Sequence, residues 1–170
     1  MTQDSALYRG IAEFLRGRVL VVGVGNSLRG DDRAGPAVVE RVGRVLPECC
    51  LDCGEAPENY LGVILERGPQ RVLFVDAVDF GGQPGEARMC DWSQMRRYGW
   101  DTHRFPLRAV AQYLSDEGRM ETGLLGIQPA RIDFGAAMTA AVKAAVESVG
   151  RLITRALRAQ GAHCLEAKPV

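Results

Sequence analysis

With 170 residues, 46% of them hydrophobic, the chain is long enough for one globular domain with a substantial core. Lysine plus arginine and aspartate plus glutamate both number 21, which leaves no net basic footprint for nucleic acid or an anionic membrane. No apolar run reaches transmembrane length, and the polar opening MTQDSALYRG lacks a signal-peptide core, so the expected setting is the cytoplasm, without membrane insertion.

The first predicted element is an amphipathic helix over 5–18, with Leu7, Ile11, Phe14 and Leu15 on one side. Residues 1–17 are expected to form an accessory layer, residues 18–160 a single α/β domain, and residues 161–170 a polar tail. Arg18 to Val24, RVLVVGV, is an almost continuous Val-rich run, which suits a strand buried on both faces of a parallel sheet. Gly23, Gly25, Gly30 and Gly35 then allow the chain to turn, and Asn26 and Ser27 carry side chains that bond locally to loop amides. From Ala34 to about Leu46 the residues Ala37, Val38, Val42 and Val45 recur at helical spacing. Asp31 and Asp32 therefore sit where a central strand hands over to a helix, the edge at which open α/β sheets build their sites.

Two readings compete for this loop. Gly23-x-Gly25 hints at a dinucleotide fingerprint, but Leu28 occupies the place of the third glycine and two aspartates would repel a pyrophosphate. The other reading makes Asp31 a helix cap. One acid suffices for a cap, so Asp32 is left for another task.

Pro47 ends the helix, and a second strand is expected over 49–53. Cys50-Leu51-Asp52-Cys53 matches C-x-x-C, yet positions three apart on a strand point to opposite faces, and no second pair completes a zinc site. Cys49, Cys50 and Cys53 read as small buried hydrophobes. The odd total of five cysteines, without a secretory mark, favours reduced thiols.

A turn at 54–59 leads to a helix over 60–67, closed by Gly68-Pro69. Arg71 to Val78, RVLFVDAV, is a second buried strand. Asp76 stands at its carboxyl end, where a charge is costly unless it is paired, hydrogen-bonded or coordinated. The turn at 80–85 is too short for a parallel crossover, so a strand over 86–91 should run antiparallel at an edge. Residues 92–101 are a polar stretch expected to loop over the site. His103 precedes a predicted helix over 105–114 that tolerates Pro106 in its first turn; His163, the other histidine, lies in the tail. A short strand over 123–127 and a long helix over 140–157, with Thr139 as its N-cap, complete the pattern. The fold class is α/β: a three-layer sandwich whose mostly parallel sheet of about five strands has helices on both faces and one antiparallel edge strand.

If the strands bearing Asp32 and Asp76 are neighbours, both carboxylates emerge at one sheet edge, where His103 could complete a three-ligand N,O,O set with open coordination positions. A metal-free alternative uses the carboxylates and the imidazole as acid and base. No G-x-S-x-G elbow supports a serine triad.

The motifs GVGNSLRGDDRAGP (23–36), APEN (56–59), VDA (75–77), QPGE (83–86), Thr102-His103 and LGIQP (125–129) together resemble the NiFe-hydrogenase maturation endopeptidases, nearest the HycI type that serves hydrogenase 3. The resemblance runs from about Arg18 to Leu157. It implies an enzyme that removes a C-terminal extension from the precursor of the hydrogenase large subunit once nickel has been inserted. It also implies that Asp32, Asp76 and His103 contact that nickel, delivered in the precursor, as its recognition element. Asp79 and Glu58 are rim residues in this picture. The N-terminal helix, the cysteine-rich second strand and the stretch Asp133 to Met138 depart from the family's pattern. A non-catalytic nickel-dependent checkpoint protein of the same fold would need the same trio. With no apolar stripe demanding a partner, the expected state is a monomer.

Overall fold

The computed structural model describes residues 3–92 and 104–160. Helix α1 (Gln3–Phe14) precedes strand β1 (Val19–Gly23); helix α2 (Ala34–Gly43), strand β2 (Cys50–Asp52), helix α3 (Leu61–Arg67) and strand β3 (Arg71–Ala77) follow. Strand β4 (Ala87–Cys90), helix α4 (Arg104–Asp116), strand β5 (Glu121–Ile127) and helix α5 (Ala140–Ala159) complete the domain. The five strands lie in the order β2-β1-β3-β5-β4. All pairs are parallel except β4 with β5, so the short turn after β3 does produce an antiparallel edge strand.

Period-two alternation divides the strands between two cores. Val19 and Val21 of β1 and Leu73 and Val75 of β3 point into one core, completed by α1, α2 and α5. Leu20, Val22, Val72 and Phe74 point into the other, shared with α3 and α4. With both faces covered, every residue of β1 is buried, which is why its sequence is apolar throughout rather than alternating. Helix α1 belongs to this packing: Ile11 and Leu15 are fully buried, against the same core as α5.

The order places a topological switch between β1 and β3. The chain leaves β1 through α2 to reach β2 on one side, then crosses the opposite face through α3 to reach β3 on the other. The connections diverge at the carboxyl ends of β1 and β3, the place where open α/β sheets form their binding crevice. The start of α2 presses directly on that edge. A Cβ at Gly35 would stand 2.2 Å from the carbonyl oxygen of Val75 and 2.3 Å from that of Val24, so glycine is required by close approach.

The C-x-x-C stretch behaves as packing. Cys50 lies against the α2 and α5 core and Cys53 within the α3 and α4 core. Burial pushes both thiols up to about 12, aided at Cys50 by Glu48 and at Cys53 by Asp52. Cys50, Cys53 and Cys90 are free. Cys49, expected reduced, is instead disulfide-bonded: an odd cysteine count excludes complete pairing but not a single bond. No helix of the described residues is long and apolar enough to cross a membrane.

Candidate functional site

The expectation that the Asp32 and Asp76 strands are neighbours holds. Strands β1 and β3 pair from Val19↔Arg71 to Gly23↔Val75, and Val24 continues the ladder with its N–H on the Val75 carbonyl at 2.9 Å. Asp76 follows Val75, paired with Gly126 of β5, and is only 5% exposed. Alternation puts it on the sheet face of Val72 and Phe74, the face that α4 covers.

Asp32 reaches the same edge through a short 3₁₀ turn, Gly30–Arg33, that runs into α2. Its Oδ2 accepts the Asn26 backbone N–H at 2.8 Å. The Asn26 side chain is itself held, donating to Glu55 Oε2 at 2.7 Å and accepting the Leu28 N–H at 2.8 Å. The backbone of Asp32 also lies against Gly25, where a Cβ would come 1.9 Å from the Asp32 carbonyl oxygen and φ is +142°. Glycine is therefore the residue that lets this loop close over the sheet edge. Asp32 is half-buried and held by its own loop.

Asp31 has a different role from the one expected. No side chain caps α2 or the turn before it. The Asp31 carboxylate is fully buried and accepts four hydrogen bonds from the segment before α5: from the N–H groups of Ala130 at 2.9 Å, Arg131 at 3.2 Å and Thr139 at 2.7 Å, and from the Thr139 hydroxyl at 3.0 Å. Burial alone would raise its pKa, but these donors outweigh burial and hold the carboxyl below its ordinary value. Thr139 occupies the predicted N-cap position of α5, but its hydroxyl is spent on Asp31. Asp31 is thus a buried cross-link between the two loops that rim the edge. A second fastening runs alongside it, from Arg29 Nε to the Ile132 carbonyl at 3.2 Å.

Gln128, which the sequence marks only as part of the LGIQP motif and with no role of its own, organises the other side. This amide is 6% exposed. Its Oε1 accepts the N–H groups of Phe80 and Gly82 at 2.9 and 3.1 Å, and its Nε2 donates to Asp79 Oδ1 at 3.0 Å and to the Pro129 carbonyl at 3.3 Å. It staples the turn after β3 to the end of β5, and Asp79, an expected rim residue, works within that staple. Glu58 is exposed on the 3₁₀ turn Pro57–Tyr60. The signals for Gln128 in the sequence are its place immediately after a buried strand and its membership of the LGIQP motif.

Of the covering loop expected at 92–101, Trp92 instead packs edge-on against Phe74, and residues 93–101, like His103 and His163, lie outside the described residues. Helix α4 begins at Arg104, the next residue in sequence after His103. Its last turn leads into β5, with the Met120 N–H on the Leu114 carbonyl at 3.0 Å, so its first turn is directed toward the carboxyl edge. Among the described residues no three His, Cys, Asp or Glu side chains cluster as a metal site. The carboxylates of Asp32 and Asp76 at this edge are hard oxygen donors of the kind that suits a divalent ion receiving further ligands from elsewhere.

A family model described as HycI, hydrogenase maturation protease, matches residues 36–156, beginning just past Asp32. The chain is 41% identical over 133 residues to the hydrogenase 3 maturation protease of Escherichia coli, a match covering 74% of this chain and 82% of that protein. Among solved structures, the NiFe-hydrogenase maturation protease HycI from Thermococcus kodakarensis superposes with a TM-score of 0.79 at 33% identity, over 88% of this chain and 99% of that one. The hydrogenase maturating endopeptidase HybD from Escherichia coli does so with a TM-score of 0.72 at 27% identity, over 85% and 94%.

Proposed function

This chain belongs to the HycI family of hydrogenase maturation proteases and is a peptide hydrolase, and we propose that it removes the C-terminal extension of a NiFe-hydrogenase large-subunit precursor after nickel has been inserted. In this reading Asp32, Asp76 and His103 recognise the nickel, which belongs to the substrate. The observation that carries the reading is Asp76, a carboxylate 5% exposed at the carboxyl end of a central strand, beside the strand that leads to Asp32. A carboxylate at that position stands at the sheet edge where open α/β folds build their sites, next to the strand whose loop carries the second acid.

The division of labour follows from the local geometry. Asp32 is aimed by the Asn26 N–H, and the Asp31 cross-link fixes the turn that carries it. Asp76 is set by its pairing with Gly126 of β5, one residue past the point where the β1 register ends at Val75. Two preorganised carboxylates and one imidazole supply O,O,N donors, and a precursor that already holds nickel through its own ligands completes the shell. Precursor lacking the metal forfeits those contacts and is passed over. Both carboxylates must be ionised and the imidazole neutral to bind, so processing should fall as the medium is acidified. Activity that stays flat down to about pH 5 would contradict this.

The test mixes the purified protein with a large-subunit precursor, with and without bound nickel, and follows loss of a C-terminal peptide by intact mass spectrometry. Nickel-dependent cleavage by wild type that Asp32→Ala, Asp76→Ala and His103→Ala abolish is the expected result. Nickel-dependent binding without cleavage would replace the protease reading with a checkpoint role.

A further inference from the structure

Large apolar side chains are mostly interior in this domain, but two stand out at the rim of the proposed site. Phe134 is 76% exposed and Leu28 is 63% exposed, the highest values among the exposed large hydrophobics of the described residues. They belong to the two loops that Asp31 ties together. Gly135, next to Phe134, donates its N–H to the Leu28 carbonyl at 2.8 Å, so the loops meet where these side chains emerge. Leu28 lies between Asn26, whose N–H holds Asp32, and Asp32 itself.

This exposure is not that of a loose loop. The Phe134 segment is held by the bonds to Asp31, by Arg29 on the Ile132 carbonyl and by the Asp31 N–H on the Arg131 carbonyl at 3.0 Å. A segment so fixed presents its side chains in one arrangement, and a partner that covers them has little loop ordering to offset. Two exposed apolar side chains on loops bonded to each other, beside the candidate site, offer a partner a fixed apolar foothold.

We propose that Leu28 and Phe134 form an apolar shelf that docks an apolar segment of the hydrogenase precursor next to its metal, fixing the scissile region over the edge. The inference rests on the protease reading. Two side chains are far too small a patch for a stable dimer, which needs roughly 800 Å² on each partner. They suit a substrate whose main anchor, the metal, lies elsewhere in the same crevice. The shelf would contribute equally to the bound and the reacting states, so its loss should appear in KM rather than in kcat.

The test compares wild type, Leu28→Ser, Phe134→Ser and the double variant on nickel-loaded precursor, with Val45→Ser, an exposed position in the turn after α2, as control. A KM raised about 10-fold or more in the double variant, with kcat within about twofold and the urea midpoint and the Val45→Ser enzyme unchanged, is the expected outcome. An unchanged KM overturns the shelf. So does a wild type that sediments as a dimer while the double variant is a monomer, since the shelf would then be covered by a second copy. If wild type fails to cleave, the protease reading fails separately, and the shelf is read from direct titration of nickel-loaded precursor. Weaker binding by the double variant sustains it; equal binding, or none by wild type, overturns it.

Discussion

The carboxylate of Asp31 receives the backbone N–H of Thr139 at 2.7 Å across 108 positions of sequence. That bond joins the turn before α2 to the first residue of the α5 entry, and with its companions makes Asp31 the fastening of the site rim. Replacing it by asparagine keeps the shape but sets an amide donor among N–H donors. Asp31→Asn should cost about 2–4 kcal/mol, since buried donors lose a charged acceptor. Urea unfolding measures this, and a loss below 0.5 kcal/mol would refute the fastening role at the scale expected for a surface change.

Asp31 also predicts the acid limb of stability. Its folded pKa is lowered, against an unfolded value of about 3.9. The contribution is therefore fully present above the unfolded value and is lost as pH falls through the folded one. Urea midpoints taken between about pH 5 and pH 2.5 should fall more steeply for wild type than for Asp31→Asn. Parallel slopes would assign the acid sensitivity to other groups.

Glycines near the edge divide by what a Cβ would meet. Gly35→Ala would place a methyl 2.2 Å from the Val75 carbonyl oxygen and force α2 off the sheet, a loss of about 3 kcal/mol or more. At Gly62, on α3, a Cβ meets nothing within 4 Å, so Gly62→Ala should stabilise by about 0.5–1 kcal/mol. Thermal midpoints moving the same way in both variants would show that the tight approach at Gly35 is not what requires glycine.

Asp76→Asn tests the proposed recognition with the least disturbance of packing. The amide fits the same volume but is a poor partner for a divalent ion. Processing of nickel-loaded precursor should drop at least about 100-fold, close to 2.7 kcal/mol in the barrier, with the fold retained by circular dichroism. Near-normal processing by this variant would remove Asp76 from the site.

The C-x-x-C stretch should be chemically quiet. With both thiols pushed up to about 12 by burial, alkylation of Cys50 and Cys53 in the native protein at pH 8 should be far slower than in urea, because the thiolate is the reactive form. Fast native labelling, or loss of processing in Cys53→Ala with the fold intact, would point to a redox or metal task.

The sequence by itself determined the alternation of strands and helices, the antiparallel edge strand, the opposite faces of Cys50 and Cys53, and the arrival of Asp32 and Asp76 at strand ends. These are local matters, set by the period of apolar residues and by turn length. Only the tertiary structure decided what Asp31 does. As the first acid before a helix it reads as a cap, yet its partners are Ala130, Arg131 and Thr139, and nothing in a local window announces a bond that spans about a hundred positions. The role of Gln128 was illegible for the same reason, its partners lying on a turn 46 and 48 positions earlier, and so was the close approach that demands Gly35. A buried polar side chain is satisfied by whichever groups the fold brings to it, and that depends on sheet order and loop docking, which no periodicity encodes.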